Sequence, residues 1–260
     1  MITMLRSVVF ALVFYITTAL FLLLGIWLLL GPRSWAMQGL KLHGQTCVWL
    51  LKVICGTRLE VRGRENLPDG PCLVVAKHQS AWDTFGLIPL FADPAIVLKD
   101  ELKWIPVYGW FCLKFEHILV KRDKASAALK QLLADAKEKV GERRQVVIFP
   151  EGTRTAPGVP PDYKPGYIAL YEGLGVPCVP LALNSGLFWP RRSLMRYPGT
   201  IVVEILPPIA PGLPRKEVRQ RVESLIEARS AALIEEAARA TPAPPVPMLS
   251  SKGSATLAKE

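Results

Sequence analysis

Cys72-Leu73-Val74-Val75-Ala76 runs without a polar side chain and passes straight into Lys77-His78-Gln79-Ser80-Ala81-Trp82-Asp83. The apolar run follows the turn Pro68-Asp69-Gly70-Pro71, so it reads as a short buried strand that ends where titratable residues begin. The same texture recurs along the chain. Leu59-Glu60-Val61-Arg62 alternates like a half-buried strand, Val146-Val147-Ile148-Phe149 is a second buried one, and two more run from Val176 to Leu183 and from Thr200 to Leu206. Between them, Ala128, Leu129, Leu132, Leu133, Ala136 and Val140 fall at helical spacing within Ala125 to Val140. Val218, Val222, Leu225, Ile226 and Leu233 mark an amphipathic helix that closes the core. Strands alternating with helices predict an α/β sheet.

Outside this core the composition changes twice. Val8 to Leu30 holds no charged residue and as a helix measures about 35 Å, the thickness of a bilayer's hydrocarbon. It exceeds the apolar stretch of a cleaved signal peptide, and Leu28-Leu29-Leu30-Gly31-Pro32-Arg33 has no small-x-small cleavage site. After the turn at Gly31-Pro32, Ser34 to Ile54 resumes an apolar pattern interrupted by Lys41, His43 and Lys52. Trp35 and Trp49 suit a headgroup interface or packing against the rest of the chain. Either the two segments form a helical hairpin in one leaflet, or the first spans alone. From Thr241 the chain turns Pro- and Ala-rich, the composition of a disordered tail. The expected organisation is membrane-anchoring helices over 1–56, a catalytic domain over 57–240 and a tail over 241–260.

Thirty-two Lys and Arg against 22 Asp and Glu give a formal charge of +10, which implies an anionic partner. The apolar N-terminus argues for a phospholipid surface and against nucleic acid. Cys47, Cys55, Cys72, Cys112 and Cys178 are odd in number, scattered and set among apolar neighbours, so they read as buried free thiols in a reducing, cytosol-facing location. No pair has zinc-ligand spacing, and no metal site is expected.

Two segments carry chemistry. His78 and Asp83 are five apart, which on one helix turns them about 140° away from each other. They meet only across a turn, with His78 in the loop and Asp83 opening the next helix. The carboxylate then accepts from one imidazole nitrogen and leaves the other basic. A structural hydrogen bond is the alternative. Ser80 as covalent nucleophile is disfavoured, because it lacks the Gly-x-Ser-x-Gly elbow. In Phe149-Pro150-Glu151-Gly152-Thr153-Arg154, again at a strand end, Gly152 allows close backbone approach, Thr153 offers donors and Arg154 a planar fork for phosphate oxygens. Glu151 either orients these donors or pairs with a nearby cation. His43 and His117 have no carboxylate at a strand end and read as structural or interfacial.

Taken together, these segments resemble the glycerolipid acyltransferase family, typified by the bacterial lysophosphatidic acid acyltransferases. His78 and Asp83 match its His-x4-Asp block, and Phe149 to Arg154 reproduces its Phe-Pro-Glu-Gly-Thr-Arg block. Lys99-Asp100-Glu101-Leu102-Lys103-Trp104-Ile105-Pro106-Val107-Tyr108-Gly109-Trp110 is similar to the second block, and Val120-Lys121-Arg122-Asp123 to its basic end. Lys121 departs there, since relatives often carry an acid at that place. Val176-Pro177-Cys178-Val179-Pro180-Leu181 is similar to the fourth block. All four stand in family order between Leu59 and Leu206.

The resemblance implies a mixed central sheet flanked by helices and a direct acyl transfer to the sn-2 hydroxyl of 1-acyl-glycerol-3-phosphate, giving phosphatidic acid at the inner, cytoplasmic membrane. His78 is then the general base and Asp83 its orienting partner. Lys99, Arg122, Glu151, Gly152, Thr153 and Arg154 bind the acceptor. Trp104, Ile105, Val107, Tyr108 and Trp110 are candidates for the acyl channel, with core packing as their alternative. No cofactor is implied: the acyl group comes as a thioester of acyl carrier protein or coenzyme A. The rival readings are another lysolipid acceptor, such as lyso-ornithine lipid, and a non-catalytic lipid-binding membrane protein. The Asn184-Ser185-Gly186-Leu187-Phe188-Trp189 loop is a candidate for shaping acceptor choice.

Overall fold

Leu73 to Ala76 form the strand that their composition predicts, and their side chains alternate between two apolar layers. Val74 and Ala76 join one hydrophobic cluster while Leu73 and Val75 join another. A strand with both faces covered reads as an unbroken apolar run, which is why no polar residue interrupts it. The structure is a computed structural model and describes residues 1–121 and 125–246.

Among these residues seven strands form one sheet: β1 (Thr57–Arg62), β2 (Leu73–Ala76), β3 (Pro94–Lys99), β4 (Ile118–Val120), β5 (Gln145–Ile148), β6 (Cys178–Leu183) and β7 (Gly199–Ile205), in the order β1-β7-β6-β2-β5-β3-β4. β6, β2, β5, β3 and β4 are mutually parallel, while β7 runs antiparallel to β6 and carries β1 parallel to itself. The sheet is therefore mixed. The helices are α1 (Ile2–Leu24), α2 (Arg33–Cys55), α3 (Asp83–Gly86), α4 (Tyr108–Lys114), α5 (Ala125–Gly141), α6 (Gly166–Leu174), α7 (Ser185–Phe188) and α8 (Arg215–Ala238). α5, α6 and α8 cover one face with Leu132, Tyr167 and Val222, and α2 and α3 cover the other with Cys47, Leu51 and Phe85.

Sequence periodicity did not reveal β3, β4 or α6. β3 opens on Pro94, which a strand tolerates at its first residue, and β4 is only three residues long, too short to show a period. The first helix begins at Ile2 and ends at Leu24, not Leu30. It ends at Gly25, whose N–H returns to Phe21 and Leu23, and Ile26–Leu29 then tighten into a 3-10 turn.

α1 and α2 pack antiparallel, with Thr18 Oγ1 3.1 Å from His43 Nε2 and the Phe21 ring edge-on to the same imidazole. Arg33 donates both arms of its guanidinium to Asp93 at 2.8 and 2.7 Å, and Lys41 donates to the Ala92 carbonyl. Two cations that the sequence sets beside a headgroup interface thus fasten α2 to the sheet. Trp35 and Trp49 stay exposed. α1 is long and apolar enough to cross a membrane, and Leu5, Leu12, Ile16 and Leu23 on its outer side are uncovered. Apolar area of that extent fits a lipid environment.

Candidate active site

Because β2, β5, β3 and β6 are parallel, their carboxyl ends share one edge, where open α/β sheets bind ligands. His78 follows β2, Glu151 to Arg154 follow β5, Lys99 ends β3 and Ser185 follows β6. Register ties the two main segments together: Val75 pairs with Ile148, and the His78 ring, three residues past Val75, stacks on Phe149, the residue after Ile148, with centroids 4.1 Å apart. The Thr155 N–H donates to the His78 carbonyl at 2.8 Å, which brings the loop bearing Arg154 alongside.

His78 Nδ1 lies 2.9 Å from Asp83 Oδ2. Asp83 opens α3, so the contact is made across the turn. A carboxylate accepts here, so in the neutral imidazole Nδ1 carries the hydrogen and Nε2 the lone pair. The same Oδ2 accepts from the amides of Gln79 at 2.7 Å and Ser80 at 2.9 Å, and Oδ1 accepts the Ser185 hydroxyl at 2.5 Å. Four donors offset the desolvation of a carboxylate that is 1% exposed. The Ser80 hydroxyl is committed elsewhere: it donates to the Trp189 carbonyl and accepts from the Trp82 amide.

Gly152 adopts φ 62°, with its N–H returning to Phe149. A left-handed residue here lets the chain turn and leaves Thr153 and Arg154 exposed beside the His78 loop. Glu151 points inward. Its carboxylate is in ion contact with Lys77 Nζ at 2.9 Å, off the angle of a hydrogen bond, while Lys77 hydrogen-bonds Glu227 of α8 at 2.7 Å. The Tyr163 hydroxyl also donates to Glu227, and its own ionisation is pushed up by burial and by that carboxylate. Lys99 is exposed, and Arg122 lies outside the described residues.

Of the acyl-channel candidates, Trp104, Ile105 and Trp110 are exposed and Val107 is half-buried. Tyr108 borders an apolar cavity of about 620 Å3 between α1, α2 and α4, whose walls include Phe21, Leu28, His43 and Phe111. All five cysteines are buried free thiols, and burial pushes the Cys72 and Cys178 thiols up to about 12. His43 sits between α1 and α2, and His117 accepts the Ile96 N–H.

An acyltransferase family model matches residues 58–184, which spans this edge from β1 to the residue before Ser185. Residues 58–184 are thus similar to that family. Over 160 residues, 62% of each chain, this chain is 42% identical to the 1-acyl-sn-glycerol-3-phosphate acyltransferase of Pseudomonas aeruginosa. The enzymes of the same name from Saccharomyces cerevisiae (31% identical, 62% of this chain and 54% of theirs) and Homo sapiens (the alpha form, 30%, 61% and 57%) also match. The chain thus spans 54 to 62% of the length of these relatives. The crystal structure of the 1-acyl-sn-glycerophosphate acyltransferase PlsC from Thermotoga maritima superposes with a TM-score of 0.74 at 23% identity, covering 88% of this chain and 96% of that one. That likeness shows the fold.

Periodicity and motif spacing gave Lys77, Glu227 and Tyr163 no role at the site, and named Ser185 only within the loop that could shape acceptor choice. Lys77 stands beside His78, and a lysine directly after an apolar strand could have flagged a buried pair. Glu227 and Tyr163 left no such mark, because only folding brings α8 and the segment before α6 to the end of β2.

Proposed function

We propose that the chain transfers a fatty acyl group from an acyl thioester to the sn-2 hydroxyl of 1-acyl-glycerol-3-phosphate, giving phosphatidic acid for phospholipid synthesis. The observation that carries this reading is the His78–Asp83 contact at a strand end, beside the Glu151–Arg154 loop, in a chain whose relatives are named 1-acyl-sn-glycerol-3-phosphate acyltransferases. His78 Nε2 takes the proton of the acceptor hydroxyl as its oxygen bonds the thioester carbonyl carbon. The tetrahedral intermediate collapses with loss of the C–S bond, and the proton passes from His78 to the departing thiolate. Asp83 holds the ring in one tautomer and offsets its positive charge. Arg154, with Lys99 and Arg122, grips the acceptor's phosphate, so that catalysis is largely orientation.

The donor is a thioester of acyl carrier protein or coenzyme A, and the cavity beside Tyr108 suits a hydrocarbon chain. The exposed apolar faces of α1 and α2 hold the site at the inner membrane, and the reduced cysteines support a domain facing the cytoplasm. The test is the full chain in detergent, offered lysophosphatidic acid, lyso-ornithine lipid and other lysolipids with each donor. We expect phosphatidic acid to form, H78A to lose about 10²-fold or more in kcat, and R154A to raise the acceptor KM. Full turnover by H78A, or products from the other lysolipids alone, would overturn the reading.

A further inference from the structure

We infer that Ser185 is a positioning residue for this acyl transfer, holding the Asp83 carboxylate in the plane that keeps His78 in its working orientation. The inference rests on the function proposed above. Three of the four donors to Asp83 come from its own loop, and all three converge on Oδ2. A carboxylate tied at one oxygen can still pivot about that point and swing its plane away from the imidazole. The Ser185 hydroxyl takes the other oxygen at 2.5 Å, from a residue 102 positions away in the chain. With both oxygens tied, the plane is set. Hydrogen bonds to an ionised acceptor are short and about twice as strong as neutral ones, and both partners are 1% exposed or less, so water does not compete.

Ser185 is itself held in place. The Gly186 N–H donates to Gln79 Oε1 at 3.1 Å, and the Trp189 carbonyl accepts the Ser80 hydroxyl at 2.8 Å. The turn from Ser185 to Trp189 is therefore bonded at three points to the loop that carries His78 and Asp83. A Cβ on Gly186 would come within 2.8 Å of Pro157 and 2.9 Å of Gln79. Glycine is what allows this turn to seat between the His78 loop and the chain after Arg154. All six residues from Asn184 to Trp189 are buried, which places this segment beneath the catalytic loop as its support.

The experiment compares S185A and S185T with the parent chain in detergent, using lysophosphatidic acid and an acyl thioester. S185A is expected to lose on the order of 10- to 100-fold in kcat, the scale of a misaligned catalytic group, with both KM values unchanged and the melting temperature lowered, because a buried carboxylate loses one of its four donors. S185T keeps the hydroxyl and is expected to restore most of the loss. Unchanged kcat in S185A would overturn the inference, as would an equal loss in S185T at an unchanged melting temperature. A second readout does not depend on turnover: the downfield proton resonance of the His78 Nδ1–H bonded to Asp83. We expect S185A to shift or broaden it, and an unaltered resonance counts against Ser185. A parent chain that acylates no lysolipid, with the resonance still shifted or broadened in S185A, would sink the functional reading and leave Ser185's hold on the Asp83–His78 pair standing.

Discussion

Lys77 places an ammonium group, 3% exposed, between Glu151 at 2.9 Å and Glu227 at 2.7 Å, with the Tyr163 ring 5.6 Å away. Its neighbour in sequence is His78, and Glu151 begins the turn that Gly152 completes, so this one side chain ties the His78 loop and the Glu151–Arg154 loop to each other and to α8. Desolvating such a group is costly, and the compensation comes from its partners. Lys77→Met leaves Glu151 buried without its cation. We expect a loss of about 3–5 kcal/mol, the range for breaking a buried pair, read by denaturant unfolding in detergent. The double change Lys77→Met with Glu151→Leu should recover much of that loss, since Glu227 is partly exposed and can return to water. A single variant as stable as the parent would show that the pair contributes nothing net.

α1 serves two surfaces at once. Its inner side sends Phe10 and Phe14 against Trp189 at 5.3 and 5.4 Å and Phe14 against Phe85 at 5.5 Å, two residues from Asp83. The Ser7 hydroxyl accepts the Arg196 amide. Arg196 in turn stacks over Trp189 at 3.9 Å. The outer side is apolar with nothing covering it. A charge on each side should therefore act differently. Leu12→Asp, at a position 63% exposed, is expected to shift the chain from vesicles to the supernatant in a sedimentation assay while leaving its unfolding unchanged. Phe10→Asp, at a position 0% exposed, should destabilise the fold. If Leu12→Asp stays on the vesicles as fully as the parent, this face is not what holds the membrane.

Across the whole molecule, stability carries a pH dependence to which His117, between α4 and β4, contributes. Its Nδ1 accepts the Ile96 N–H at 3.3 Å, so protonation would set donor against donor. Burial and then the Arg144 guanidinium lower its pKa to about 3, with Asp93 pulling the other way. The unfolded chain binds this proton near pH 6.5 and the folded chain resists it. The contribution is thus fully present above about pH 6.5 and is lost as pH falls toward the folded value, at up to about 1.4 kcal/mol per unit, less where water reaches the partly exposed ring. Unfolding measured from pH 7 to 4 should show a shallower decline for His117→Gln than for the parent, and parallel curves would remove His117 as the cause. By itself the sequence determined the α/β class, the apolar N-terminal helix and the two segments that carry His78, Asp83 and Arg154, because period, turn residues and motif spacing are local properties of a chain. Only the tertiary structure decided the rest. β3 and β4 exist because neighbouring strands complete their hydrogen bonds. Arg33 and Lys41 turn inward because Asp93 and the Ala92 carbonyl await them. Ser185 and Glu227 reach the loops that carry His78 and Glu151 because parallel pairing of β2 with β6 and the docking of α8 bring distant residues to one edge, and such contacts between remote segments leave no period to read.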